Sequence, residues 1–447
     1  MRPHVFAVRA FATIGLLMVS LGAACQSEDK ENKVTLDLQM MTRGEIRSGG
    51  LSSSEDDEEV DDKANFVIER ERLIVGYERF NIGDQKPWLQ MKLNIQHQGV
   101  WGQSGKGSIN VYEGWAKLAA KNGLFAQVGR QMLAYDDERI IGSNDWAMAG
   151  SSHDALKLGY EGYGHKAHAI LAYNQNAENV NGGTYYANGA QPYKTMQTFW
   201  YHYDVAPIPL GASILFMNIG MQGGDAGKNE RTEWQQVLGG YVQYSPKFWS
   251  LEASYYRQMG KEEHGIKIKA WMGSVKAQVH PSSFYGFEVG YDYLSGDKYF
   301  AVPPKGSFGL VQHNVIRGFN PIYGSHHKFY GAMDFFYVST YVNGFTPGLQ
   351  NAFVGGYVKP IKDLKIGLDY HYLAMSTSLP NTNKTLGHEF ELTASYQIIK
   401  DLKISAGFSY MTGTKTMEKL KRATDDGNLK WGWLSLNISP RIFTTKW

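Results

Sequence analysis

Chemically versatile side chains crowd into one stretch, Gly129 to Asp154, which reads GRQMLAYDDERIIGSNDWAMAGSSHD. It holds Arg130, Asp136, Asp137, Glu138, Arg139, Asn144, Asp145, Trp146, His153 and Asp154 between two apolar segments. Arginine keeps its charge in any biological medium, and its planar fork pairs two-pronged with carboxylates. Such a set suits the handling of anionic solutes, or else pairs with itself and stiffens the fold. Covalent catalysis fits poorly. Ser151, Ser152, His153 and Asp154 are consecutive, and four neighbouring residues cannot converge on one reacting atom as a triad must. The chain has neither a G-x-S-x-G elbow nor a two-histidine zinc motif. Adjacent histidines on a strand or loop point apart as a rule, which argues against a metal ion shared by His326 and His327. No enzyme activity, metal or cofactor is therefore expected.

The elements that must position these groups are strands. From residue 34 onward, segments of roughly ten alternating residues recur with turns between them. Leu89, Met91, Leu93 and Ile95 share a face opposite Gln90, Lys92, Asn94 and Gln96. Leu364, Ile366, Leu368, Tyr370 and Tyr372 oppose Lys365, Gly367, Asp369 and His371. Phe390, Leu392, Ala394 and Tyr396 oppose Glu391, Thr393, Ser395 and Gln397, and Leu402 to Tyr410 repeats the pattern. Side chains alternate with period two along a strand, so each segment has one apolar and one polar face. A soluble sandwich shares that pattern. Three further features favour a membrane barrel. Aromatic pairs sit near segment ends (Tyr370 and Tyr372, Tyr291 and Tyr293, Phe199 and Trp200), where interfacial girdles lie. Tight turns at Pro360 to Asp363 and Lys400 to Asp401 alternate with long polar stretches at 49–64, 177–193, 222–232, 297–327 and 413–429. A final strand, Trp433 to Phe443, precedes a terminal Trp447. The segments predict an all-β transmembrane antiparallel barrel of about 18 strands, a single domain spanning residues 34–447.

Composition agrees. The chain is 13% aromatic with Gly 50, yet past residue 25 no stretch approaches the ~20 apolar residues that a spanning helix needs. A net charge of +2 argues against nucleic-acid binding. Residues 1–25 read as a cleaved signal peptide: Arg2 and Arg9, an apolar run from Phe11 to Leu21, then Gly22, Ala23 and Ala24. Cys25, the only cysteine, follows as at a lipoprotein site, although the leucine stands four residues before it rather than three. It is expected either to carry lipid or to have no role. Residues 26–33 are expected as a short periplasmic segment. The acidic run Ser54 to Asp62 reads as a solvated outer loop.

Three motifs carry a family resemblance. GRQ, DDERIIGSNDW and SHDAL in the dense stretch, FNPIYGSHHKFYGAMD at 319–334 and, more weakly, IERERLIVGYE resemble the alginate export family of outer-membrane porins, in order and spacing along most of residues 34–447. The resemblance implies a barrel of about 18 strands in a Gram-negative outer membrane, with an arginine-lined pore that passes an anionic polysaccharide. Carried over by position, the pore-lining candidates are Arg70, Arg72, Arg130, Arg139, His327 and Lys328. Asp136, Asp137, Glu138 and Asp145, with His153 beside them, would hold the guanidinium groups and weaken the field enough for a polyanion to leave. Strict alternation from Ala126 and Val128 turns Arg130 toward lipid unless a bulge intervenes. Glu113, Glu252, Glu288, Asp292, Asp369 and Glu391 are also predicted to face inward, which gives a mixed-sign lumen open to other anionic or amphoteric solutes. The implied partners are outer-membrane lipid and lipopolysaccharide, the anionic solute, and periplasmic export machinery. A non-selective porin or structural barrel is the alternative, and a surface adhesin or receptor the second.

Overall fold

The computed structural model of the chain describes residues 31–48, 63–105, 107–175, 178, 180, 183–186, 192–297, 315–334, 346–378, 382–421 and 428–447. Cys25, the signal segment and the acidic run 54–62 lie outside the described residues. The first strands are β1 (Asn32–Ser48), β2 (Ala64–Arg79), β3 (Leu89–Val100), β4 (Ser108–Ala119), β5 (Leu124–Gln131), β6 (His153–Gly162) and β7 (His165–Tyr173). Next come β8 (Thr195–Val205), β9 (Leu210–Gly223), β10 (Arg231–Tyr244), β11 (Trp249–Lys261), β12 (Lys267–Ser282) and β13 (Tyr285–Leu294). The last are β14 (Val315–Ile316), β15 (Leu349–Ile361), β16 (Leu364–Ala374), β17 (Thr385–Ile399), β18 (Leu402–Gly413), β19 (Asn428–Ile438) and β20 (Arg441–Lys446).

Eighteen of these form the wall, each antiparallel to the next, and β19 pairs with β1 to close it. Closure leaves no strand edge unpaired, which is what lets a sheet cross hydrocarbon. The two others are accessory. β14 lies parallel to the start of β12, and β20 continues β19 beyond Pro440 and pairs with Lys33–Asp37 of β1. The expected final strand is therefore present but interrupted, since proline cannot donate to the ladder. Among the described residues no helix is long and apolar enough to cross a membrane.

The alternating faces are inside out relative to a soluble protein. Met91, Leu93, Ile95, Leu368, Phe390, Leu392 and Phe408 are exposed on the exterior, whereas Asn94, Gln96, Glu391 and Ser409 are buried within. Burying apolar residues against lipid and polar ones against the lumen is the membrane-barrel solution. Phe199 and Tyr291 belong to the exterior, but Trp200 does not: it is the next residue after Phe199, so it turns inward and is buried.

The start of β1 and the end of β20 share one end of the barrel with short turns such as Lys362–Asp363 and Lys400–Asp401. The strand ends that bound the long connections 49–63, 132–152 and 295–348 lie at the other, which is the outer end. The β9–β10 connection is shorter than expected, 224–230, because the ladder continues through Gly223 and Arg231.

Candidate functional site

Connection 132–152, between β5 and β6, folds into the lumen rather than out to solvent. Its apolar residues drive this. Leu133, Tyr135, Ile140 and Ile141 join one cluster with Ile170, Met196, Leu215, Met217, Tyr256 and Met272, which face inward from β7 to β12. Three of its residues adopt left-handed backbone, Asp136 (φ 54°), Glu138 (φ 67°) and Asn144 (φ 47°). Asp and Asn tolerate that region better than most residues. Segment 315–334 joins it. Gly142 N–H donates to the Tyr323 carbonyl (2.8 Å) and Ser325 N–H to the Glu138 carbonyl (2.9 Å). The two segments form a partition across the bore.

Most of the candidate residues meet at this partition. On one side, Asp145 accepts from Arg72 Nη1 at 2.7 Å and lies 3.2 Å from Arg70 Nη1. Arg70 also donates to the Asp145 carbonyl at 3.0 Å. Arg43 of β1 covers the Trp146 ring at 4.0 Å, and Trp146 stacks on His327 at 4.1 Å. His327 Nδ1 pairs with Asp334 at 2.8 Å. A bulge in β4 turns both Tyr112 and Glu113 inward, and Arg72 lies over the Tyr112 ring at 3.9 Å.

On the other side Asp136 accepts from Trp200 Nε1 (3.0 Å), Ser213 Oγ (2.5 Å) and Tyr256 OH (3.3 Å), on three different strands. Burial outweighs these bonds and raises its pKa. Arg139 is 5% exposed. It pairs with Asp137 (3.1 Å) and Asp292 of β13 (3.2 Å), donates to Tyr330 OH (2.9 Å) and covers the Phe329 ring at 3.9 Å. Burial opposes its charge, but Asp292, Tyr330 and Asp137 more than compensate and raise its pKa. Glu138 binds Ser143, Ser325 Oγ and the Lys328 ammonium and so ties the two segments together.

The far end of segment 315–334 is held by the wall. Ala332 N–H donates to Glu391 (2.6 Å) and Met333 N–H to Glu389 (2.9 Å). Gly331 precedes them at φ 91°, and a Cβ there would run into the Glu389 carboxylate, so this turn requires glycine. Between the partition and β10–β17 lies a cavity of about 180 Å³, bordered by Asp137, Arg139, Glu252, Glu288, Asp292 and Asp369.

Two candidates sit elsewhere. His153 faces inward, but its Nδ1 is taken up by Tyr193 OH at 2.8 Å in a buried cluster. Arg130 is corrected: no bulge intervenes in β5, so it follows Val128 onto the outward face, where Asp154 clamps it at 2.7 and 2.9 Å. His153 and Asp154 thus occupy opposite faces, which dissolves the hydrolase grouping. Arg130→Ala is expected to leave single-channel conductance unchanged, because a partly exposed pair outside the bore contributes about 1 kcal/mol or less.

Other residues take part that no motif in the sequence marked. Arg43, Glu45 and Arg47 repeat on β1 the two-residue spacing of Arg70 and Arg72, and Arg43 and Arg47 both pair with Glu45. Lys117 and Lys157 also face the lumen, in one row across Gln127. Among the described residues neither has a carboxylate within ion-pair distance, and Lys117 rests on the Phe125 ring at 3.9 Å.

The fold is similar to solved outer-membrane porins. Pseudomonas aeruginosa OccK11 (OpdR) superposes with a TM-score of 0.56 at 12% identity, covering 93% of this chain and 98% of that one. Acinetobacter baumannii OccAB4 gives 0.57 at 11% identity, with 93% and 99% covered. Pseudomonas aeruginosa OpdL gives 0.57 at 11%, with 92% and 99%. No curated protein sequence matches the chain. The family described as alginate export matches residues 96–407, well over half the length. The chain accordingly belongs to the alginate export family, and is a channel of the bacterial outer membrane rather than an enzyme.

Proposed function

We propose that this channel passes carboxylated saccharides or similar anionic solutes by diffusion. The observation that carries the reading is the division of charge around the bore. Lys92, Lys117 and Lys157 face inward from β3, β4 and β6. Glu252, Glu288, Asp292, Asp369 and Glu391 face inward from β11, β13, β16 and β17. Lys276 of β12 pairs with Glu252, Arg139 with Asp292 and His371 with Glu391, so among the described residues Glu288 and Asp369 are the carboxylates of this set without an ion-pair partner. In a ring of eighteen strands, β4 and β13 are nine apart, so the two sets confront each other across the lumen. Solute carboxylates are drawn to the lysines, and sugar hydroxyls donate to Glu288 and Asp369 opposite. Lys92 is neutralised by Glu113 at 2.5 Å, which leaves Lys117 and Lys157, among the described residues, as the lysines on that wall without a carboxylate partner.

The implied arginine lining takes a different part in this reading. Arg70, Arg72 and Arg139 are committed to the channel's own loops and set the width of the constriction rather than touching solute. That commitment is also what favours the alternative of a non-selective porin. Single-channel currents in planar bilayers distinguish the two. Oligouronates are expected to block the wild type where neutral oligosaccharides of equal length do not. Lys117→Glu with Lys157→Glu is expected to abolish the block and lower anion over cation permeability about tenfold. Indifference to uronate charge, or to both substitutions, would leave the non-selective porin.

A further inference from the structure

The outward face of the barrel carries cations that take no part in the pore. Alternation along β11 and β12 exposes Arg257, Lys261, Lys267 and Lys269 on that face. In the ladder, Arg257 stands opposite Trp271, Met259 opposite Lys269, and Lys261 opposite Lys267. Just below them an aromatic row crosses β11, β12 and β13, with Tyr255 stacked on Trp271 at 6.0 Å and Trp271 on Tyr293 at 4.7 Å. Below that, Leu251, Val275 and Val279 are exposed to hydrocarbon. The cations therefore sit at headgroup height, at the end of the long loops and hence in the outer leaflet.

The carboxylates nearby are already engaged. Glu233 lies 3.9 Å from Lys261, Glu262 accepts from Ile266 N–H and pairs with His264, and Glu263 lies 3.8 Å from His264. Among the described residues Arg257, Lys267 and Lys269 have no carboxylate partner. The contrast with Arg130 is instructive, because there the barrel supplies its own outward-facing arginine with Asp154.

We infer that Arg257, Lys267 and Lys269 form a docking site for the phosphate groups of a phosphorylated glycolipid in the outer leaflet. The guanidinium fork and the ammonium groups bind phosphate oxygens. The faces of Tyr255 and Trp271 receive the sugar rings, and the acyl chains run down past Leu251 and Val275. Lys267 and Lys269 are two residues apart on one strand, about 7 Å, so the patch spans more than one phosphate.

The experiment uses the full barrel purified in detergent and equilibrated with bisphosphorylated lipid A, its dephosphorylated form, phosphatidylglycerol or inorganic phosphate, with retention read by native mass spectrometry. The wild type is compared with Arg257→Ala combined with Lys269→Ala, whose folding is checked by unchanged conductance and unchanged heat-modifiable mobility. Selective retention of the phosphorylated glycolipid, weakened about tenfold or more in the double variant, is the expected result. Equal retention of the dephosphorylated lipid, equal competition by phosphatidylglycerol, displacement by inorganic phosphate, or no effect of the substitutions would each overturn the assignment.

Discussion

Arg139→Ala is expected to raise single-channel conductance several-fold and to admit longer solutes, while leaving the barrel itself folded. The guanidinium joins three parts of the molecule: Asp137 in the lumenal loop, Tyr330 in segment 315–334 and Asp292 in the wall. Both Arg139 and Asp292 are almost completely shielded, at 5% and 1% exposure. Removing one member of a buried pair leaves the other without compensation and costs about 3–5 kcal/mol. That cost falls on the docking of the partition, because the strand ladder around Asp292 runs through backbone bonds to β12 and β15 that the substitution does not touch. Arg139→Lys should restore part of the narrow state, since lysine keeps the charge but not the fork that reaches Asp137, Asp292 and Tyr330 together. The checks are conductance, polymer exclusion and heat-modifiable mobility. Unchanged conductance and exclusion with an intact barrel would show that this partition does not limit the bore.

The barrel was legible because its rule is local. Period-two alternation placed Met91, Leu93 and Ile95 on one face and Asn94 and Gln96 on the other without any knowledge of partners, and the same rule correctly turned Arg130 outward. The constriction was only half legible. Which residues are charged was plain from the stretch Gly129 to Asp154, but which carboxylate meets which cation depends on contacts between segments nearly 200 positions apart, as with Arg139 and Tyr330. A signal for the docking surface was present: in Ile214, Leu215, Phe216 and Met217 both faces of β9 are apolar. In a water-filled channel the inner face of a strand should be polar, so a strand apolar on both faces marks wall that something covers. The β4 bulge had no comparable signal, because it arises from pairing register rather than composition.

Glu138→Gln is expected to uncouple the two loop segments at neutral pH, giving larger and noisier currents, and its sign with acid follows from the titration of the carboxylate it replaces. Burial alone would raise the Glu138 pKa, but hydrogen bonds from Lys328, Ser325 and Ser143 outweigh it and hold the carboxyl down at about 2, against an ordinary 4.5. A carboxylate whose pKa is depressed on folding stabilises the fold fully above its unfolded value and loses that contribution as pH falls through the folded one. The latch should therefore hold from neutral pH down to about 4.5 and weaken between 4.5 and 2. Asp136 runs the other way, because burial raises its pKa despite Ser213, Trp200 and Tyr256, so it takes up a proton earlier in an acid titration. Protonating it removes a buried charge and does not itself expel the loop. Conductance recorded from neutral pH downward should accordingly stay flat through the range in which Asp136 titrates and rise only as Glu138 does. In Glu138→Gln the late rise should be absent, because the segments are already released. An early rise that persists in the variant would place the acid-sensitive contact somewhere other than this latch.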